Sequence, residues 1–166
     1  MQYEQFVHDR QRPLFRFAVV LCGDPALAEE LVQDVLSRAY ERWSLVAAAD
    51  DVNAYARRML VNEYLSWRRR WRRSVPVAEF ADDALPGVPD PADGRVDRID
   101  LTGQLATLPA RQRAALVLRY YVGLPFSDIA ETLGCRESSA RGYVTRALTS
   151  LRVRMDAPST VPDRES

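Results

Sequence analysis

Apolar residues recur along this chain at intervals of three and four, and no stretch alternates apolar and polar residues one by one. That periodicity predicts helices and no strands. The clearest stripe joins Leu27, Leu31, Val32, Val35, Leu36, Ala39, Tyr40 and Trp43, with Glu29, Glu30, Gln33, Asp34 and Glu41 on the far side. Asp24 suits its N-cap and Pro25 its first helical position. A second stripe, Tyr55, Ala56, Met59, Leu60 and Tyr64, predicts a helix from about Val52 to Arg73. Trp67 and Trp71 extend its inner side, whereas Arg58, Asn62, Arg69 and Arg72 fall on another face. A first helix over roughly 2–22 is expected to be interrupted or kinked at Pro13, which lacks a backbone N–H.

In the C-terminal half, Pro109 opens a helix through "ARQRAALVLRYY". After "VGLP" comes "FSDIAETLGCRESSARGYVTRALTSLR", the sharpest signal in the chain. Ser127 is placed to cap a short helix, with Asp128 in the first turn where the helix dipole favours an acid. Ile129, Ala130 and Leu133 face inward, and Gly134 ends the helix at a position that accepts positive φ. Beyond the turn "CRE", Ala140, Val144, Ala147, Leu148 and Leu151 lie within a sector of about 100°. Ser138, Arg141, Gly142, Thr145 and Arg146 lie opposite. An apolar back with a front of Arg, Ser and Thr is the pattern of a recognition helix that enters a major groove. Gly142 costs about 1 kcal/mol against alanine inside a helix. Close approach of the backbone to DNA and neutral drift both explain it.

Charge divides the chain further. The 166 residues carry 23 arginines, no lysine and 23 acids, for a net charge of zero. Residues 1–56 are net −4, residues 57–73 net +6, residues 74–100 net −5, residues 101–135 net +1, residues 136–154 net +4, and the tail net −2. The stretch "SWRRRWRRS" at 66–74 concentrates five arginines and two tryptophans, a combination suited to phosphates and to stacking on unpaired bases. The two tryptophans also suit the end of the core stripe. The spacer "SVPVAEFADDALPGVPDPADGRVDR" is rich in proline and acid and cannot assemble a core. The expected fold is therefore all-α, with two small helical domains, 1–73 and 101–155. A flexible acidic linker, 74–100, joins them, and a disordered tail follows at 156–166. No apolar run is long enough to span a membrane, and the N-terminus lacks a signal-peptide layout, so a cytoplasmic protein is expected. Cys22 and Cys135 lie far apart and read as buried free thiols.

The order "GDPALAEELVQDVL", "NAYARRMLVNEYLSWRRRWRR", an acidic linker, then "LPARQRAALVLRYYVGLPFSDIAETLGCRESSARGYVTRALTSLR" resembles a bacterial extracytoplasmic-function (group 4) sigma factor. It is similar to small actinobacterial members, over about residues 3–155. The resemblance implies a sigma region 2 bundle and a sigma region 4 domain with the helix-turn-helix. It implies a protein that binds core RNA polymerase and directs promoter-specific initiation by recognising the minus-35 element and melting the minus-10 element. Asp24, Glu29, Glu30, Gln33 and Asp34 would dock on the clamp helices of the largest polymerase subunit, and the C-terminal domain near the flap region. Asn53, Arg57, Arg58, Asn62 and Arg69 would serve the minus-10 element, beside the loop "SLVAAADDVN". Arg136, Ser138, Ser139, Arg141, Thr145 and Arg146 would read the minus-35 element. Ser139 and Ala140 depart from the family's commoner Thr and Val, and Gly142 from its usual polar residue. An anti-sigma partner is a further implication. No cofactor, metal or small-molecule substrate is implied.

Two other classes are weighed against this reading. A conventional DNA-binding regulator explains the C-terminal half but not the acidic helix or the arginine-ended one. An enzyme finds no support, since His8 is the sole histidine and no nucleophile or carboxylate is spaced to use it.

Overall fold

The computed structural model describes residues 1–74 and 103–155, and side chains as far as residue 152. The acidic linker and the tail predicted above lie outside the described residues. Every regular element among the described residues is helical.

Helix α1 runs Tyr3–Cys22, α2 Pro25–Glu41, α3 Trp43–Ala47 and α4 Val52–Ser74. After a helical turn over 103–106 come α5, Ala110–Val117, and a wider π-helical turn, Leu118–Val122. Helices α6, Phe126–Leu133, and α7, Glu137–Met155, complete the order. Asp24 caps α2 as the sequence suggests, its Oδ1 accepting from the Ala26 N–H at 2.9 Å. Asp51 does the same for α4, accepting from Asn53 and Ala54 at 2.9 and 3.1 Å. These contacts satisfy donors that have no intrahelical partner.

Several expectations need correction. Pro13 does not interrupt α1. It sits on the solvent side, and burial of Phe6, Leu14, Phe17, Ala18 and Leu21 outweighs one missing backbone bond. Ser127 caps nothing, because α6 begins one residue earlier with Pro125 at its N-cap. The helix expected through "ARQRAALVLRYY" changes at Leu118 into the π-helical turn, which ends at Gly123 (φ 83°) with the Leu124 N–H on the Leu118 carbonyl at 3.0 Å. Tyr40 is 65% exposed rather than core, and rests edge-on against Tyr3 at 5.0 Å. Cys135 is half-buried, whereas Cys22 is buried as expected.

Helices α1, α2 and α4 enclose Phe6, Leu21, Leu31, Val35, Leu60, Val61 and Tyr64. Trp43, at the start of α3, closes one end against Phe6 and Tyr3. Helices α5, α6 and α7 bury Ala114, Ala115, Leu118, Ile129, Leu133, Ala140, Val144 and Ala147. Small residues on α5 and α7 let these helices approach closely.

The two modules dock on each other, and their cores form one cluster. Arg113 of α5 is only 1% exposed, and its Nη2 donates to the Val20 carbonyl in the last turn of α1 at 3.1 Å. Gly23 ends α1 at φ 75°, and a Cβ there would stand 3.0 Å from the Arg113 Nη2. The left-handed backbone favours glycine at this point, and any side chain there would push the approaching guanidinium by a few tenths of an ångström. Phe17 stacks with Tyr121 at 6.4 Å across the same seam.

Replacing the fully buried Leu60 by Ala is expected to lower the unfolding free energy by about 2–5 kcal/mol. Asp24→Ala, which removes only a cap, is expected to cost about 1 kcal/mol. Urea denaturation followed by circular dichroism measures both, and equal losses would contradict the distinction between core and cap.

Candidate nucleic-acid and polymerase interfaces

Burial of Ala140, Val144, Ala147 and Leu151 fixes the rotation of α7, so its opposite side faces solvent. Arg136, in the turn, and Ser138, Arg141, Thr145 and Arg146 are exposed, and Ser139 is half-buried. The arginines of this face are held rather than loose. Arg141 donates to Glu137 at 3.0 Å, and its guanidinium lies 4.6 Å from the centre of the Phe126 ring. Arg119 sits on the same ring at 4.4 Å and donates to the Leu124 carbonyl at 3.0 Å. Arg146 donates to the Gly142 carbonyl at 3.1 Å and lies 5.4 Å from the Tyr143 ring. Such contacts reduce the rotamer freedom that phosphate or base contact would otherwise remove. A Cβ at Gly142 would meet only the flexible end of Arg146, so packing within this chain does not demand glycine there. Sequence reasoning missed Arg119 and Phe126. Their signal was an arginine and an aromatic residue flanking the turn before the short helix.

On α4, Arg58, Asn62 and Arg69 share one face by helical register, whereas Asn53 and Arg57 fall well round the helix from it. Asn62 and Arg69 are exposed, while Asn53, Arg57 and Arg58 are half-exposed. Arg58 does not point to open solvent alone. It pairs with Glu131 of α6 at 2.5 Å, so one candidate minus-10 residue is engaged by the helix-turn-helix module. Trp67 and Trp71 stack on each other at 6.3 Å, both half-buried. The short helix α3 breaks the stretch read as a loop and leaves Leu45 61% exposed beside the start of α4.

On α2, Glu29, Glu30, Gln33 and Asp34 are exposed along one side, and Gln33 donates to Glu29 at 3.4 Å. Glu29 and Gln33 border a shallow groove whose other wall is Arg12, Phe15 and Arg16 of α1. Asp24 stands apart from this row, its carboxylate occupied as the α2 cap.

Among the described residues, three charged side chains are buried although the sequence marked none of them. Glu63 is 3% exposed and bridges Arg38 of α2 at 2.6 Å and Arg70 at 3.2 Å. Arg68 and Arg113 are at least as buried, and neither has a carboxylate partner among the described residues. Burial holds the Arg113 guanidinium below the usual arginine range; Tyr64 and Cys22 oppose that shift and Arg68 adds to it.

The arrangement matches two family descriptions, "Sigma-70 region 2" over residues 6–74 and "Sigma-70, region 4" over residues 98–151. The chain is similar to the RNA polymerase sigma-E factor of Streptomyces avermitilis, 32% identical over 158 residues that cover 95% of this chain and 87% of the relative. It belongs to the extracytoplasmic-function RNA polymerase sigma factors. The Mycobacterium tuberculosis sigma factor SigL is 31% identical over 145 residues, 84% of this chain and 81% of its own. Among solved structures, the sigma factor RpoE of Bartonella quintana, determined in complex with the anti-sigma factor NepR, matches with a TM-score of 0.71 at 27% identity. That match covers 93% of this chain and 98% of the other. As a sigma factor, this chain serves promoter-specific initiation of transcription by RNA polymerase, a non-catalytic role. No helix among the described residues is long and apolar enough to cross a membrane.

The Arg58–Glu131 pair of this sigma factor is exposed at both ends, 42% and 66%. Glu131→Gln is therefore expected to change stability by no more than about 1 kcal/mol. A drop above twice that in urea melts would show that this pair, rather than the buried seam, holds the modules together.

Proposed function

We propose a division of labour along the chain in which residues 1–73 bind core polymerase and the minus-10 element, and residues 101–155 bind the minus-35 element. Residues 74–100 are the tether and 156–166 a tail. The recognition-helix face of α7 supports this reading best: an apolar back sunk in the core and a front of ordered arginines and hydroxyls. Arg136, Ser138, Ser139, Arg141, Thr145 and Arg146 contact the minus-35 duplex, the arginines taking phosphates and guanine edges. Asn53, Arg57, Arg58, Asn62 and Arg69 contact the minus-10 element during melting. Glu29, Glu30, Gln33 and Asp34 face a basic surface on the clamp helices of the largest polymerase subunit, with Asp24 supporting their helix. The C-terminal module engages the flap region. The protein works in the cytoplasm and transforms no small-molecule substrate.

The two promoter elements lie about one and a half turns of duplex apart, on the order of 50 Å. Modules that share one core cannot reach both. Docking on polymerase must therefore separate them, freeing Arg58 from Glu131. An anti-sigma factor fits the same scheme as a partner that favours the docked form, and the Bartonella relative is known with one bound.

Transcription in vitro with core polymerase and a randomised promoter library tests the assignment. Specific transcripts are expected only when both proteins are present. Arg141→Ala and Arg146→Ala are each expected to reduce specific initiation by about tenfold, equivalent to about 1–2 kcal/mol of binding, and to lower the salt slope of binding by about one for each phosphate no longer neutralised. Tight binding of the isolated chain to duplex promoter without polymerase would favour a conventional regulator instead.

A further inference from the structure

A cleft of about 300 Å³ opens between the arginine-rich end of α4 and the start of α5, with Tyr143 of α7 at its edge. Leu65 and Pro109 contribute apolar wall, and no acidic residue among the described residues lines it. Arg68 and Arg69 of α4 and the N-terminus of α5 line it. Arg68 is 3% exposed, and its Nε and Nη1 have no hydrogen-bond partner among the described residues. The Tyr64 ring lies 6.0 Å from its guanidinium. Arg69, exposed, lines the same cleft from the next position on α4. On the opposite wall α5 begins without a side-chain cap. The first N–H of this helix to bond back is that of Arg113, to the Pro109 carbonyl at 2.9 Å. The N–H groups of Ala110, Arg111 and Gln112, residues that all line the cleft, are thus the orphan donors of the helix N-terminus.

Guanidinium charge gathered at a cleft without a carboxylate partner is unfavourable unless an anion meets it. A helix N-terminus offers such an anion aligned N–H groups and a favourable dipole. Planar guanidinium forks and several N–H donors together match a tetrahedral oxyanion with multiple acceptor atoms better than a single carboxylate. We infer that this interdomain cleft binds a small phosphorylated ligand through a phosphoryl group held by Arg68, Arg69 and the free amides of α5. Because its two walls belong to different modules, the ligand ties α4 to α5 and stabilises the docked form. This site is separate from the recognition-helix face and the acidic row of α2, although Arg69 also belongs to the proposed minus-10 face, and its test does not use transcription.

Calorimetric titration of the full chain with inorganic pyrophosphate, at constant ionic strength, is the direct experiment. One site per chain is expected, with a rise in melting temperature. Arg69→Gln, an exposed position that packing does not need, should weaken binding at least tenfold. Arg68→Gln should abolish it. Arg42→Gln, at the distant junction of α2 and α3, should leave it unchanged and so separates a built site from general attraction to positive charge. Absence of binding at millimolar pyrophosphate would overturn the inference, as would equal weakening by Arg42→Gln. So would displacement of pyrophosphate by a short single-stranded oligonucleotide at lower phosphate concentration, since the cleft would then be a nucleic-acid contact.

Discussion

Arg113 crosses from α5 to the last turn of α1, where Val20 offers a carbonyl and Gly23 leaves room for the guanidinium. The position of the second module relative to the first depends on that contact. Its energetics are mixed. One charge-assisted hydrogen bond contributes about 1.5–3 kcal/mol. Against it stands the desolvation of a guanidinium whose Nε and Nη1 find no acceptor among the described residues, and the repulsion of Arg68 nearby. Apolar burial around the seam, including the Phe17–Tyr121 stack, must supply the remainder. A seam built in this way fixes geometry well without being especially strong.

On the division of labour proposed above, that balance suits two halves that act at separate places on a promoter. An interface closed by a continuous hydrophobic surface would resist opening on polymerase. One containing two desolvated cations releases part of its cost when water returns to them. The exposed Arg58–Glu131 pair adds direction but little energy, and it withdraws one residue of the α4 face while the modules are docked. On the promoter contacts proposed above, docking competes with DNA for Arg58.

Most of the architecture was legible from periodicity. The stripes on α2, α4 and α7 marked the buried faces, Asp24 and Pro25 marked the start of α2, and Gly134 marked the turn of the helix-turn-helix, where the backbone takes φ 64°. The exposed rows on α2 and α7 followed from the same stripes. What escaped was charge acting from inside. Arg68 and Arg113 look like solvent residues by type, and only tertiary contact between distant segments shows that each is enclosed. Residue type also failed at Tyr40, whose ring is satisfied by an edge contact with Tyr3 at the surface. Pro13 misled because its cost is local, while the burial that overrides it is spread along the whole of α1. The docking of the modules was not readable at all, since periodicity marks which face of a helix is buried and not which distant segment buries it.

Glu63 gives the first module a mechanical property. Its enclosed carboxylate grips Arg38 of α2 with one oxygen and Arg70 of α4 with the other. The helix that carries the acidic row is thereby bolted to the helix that carries the arginine-rich end. A displacement of α2 is thus coupled to α4. Whatever tilts α2 therefore also tilts the arginine-rich end of α4.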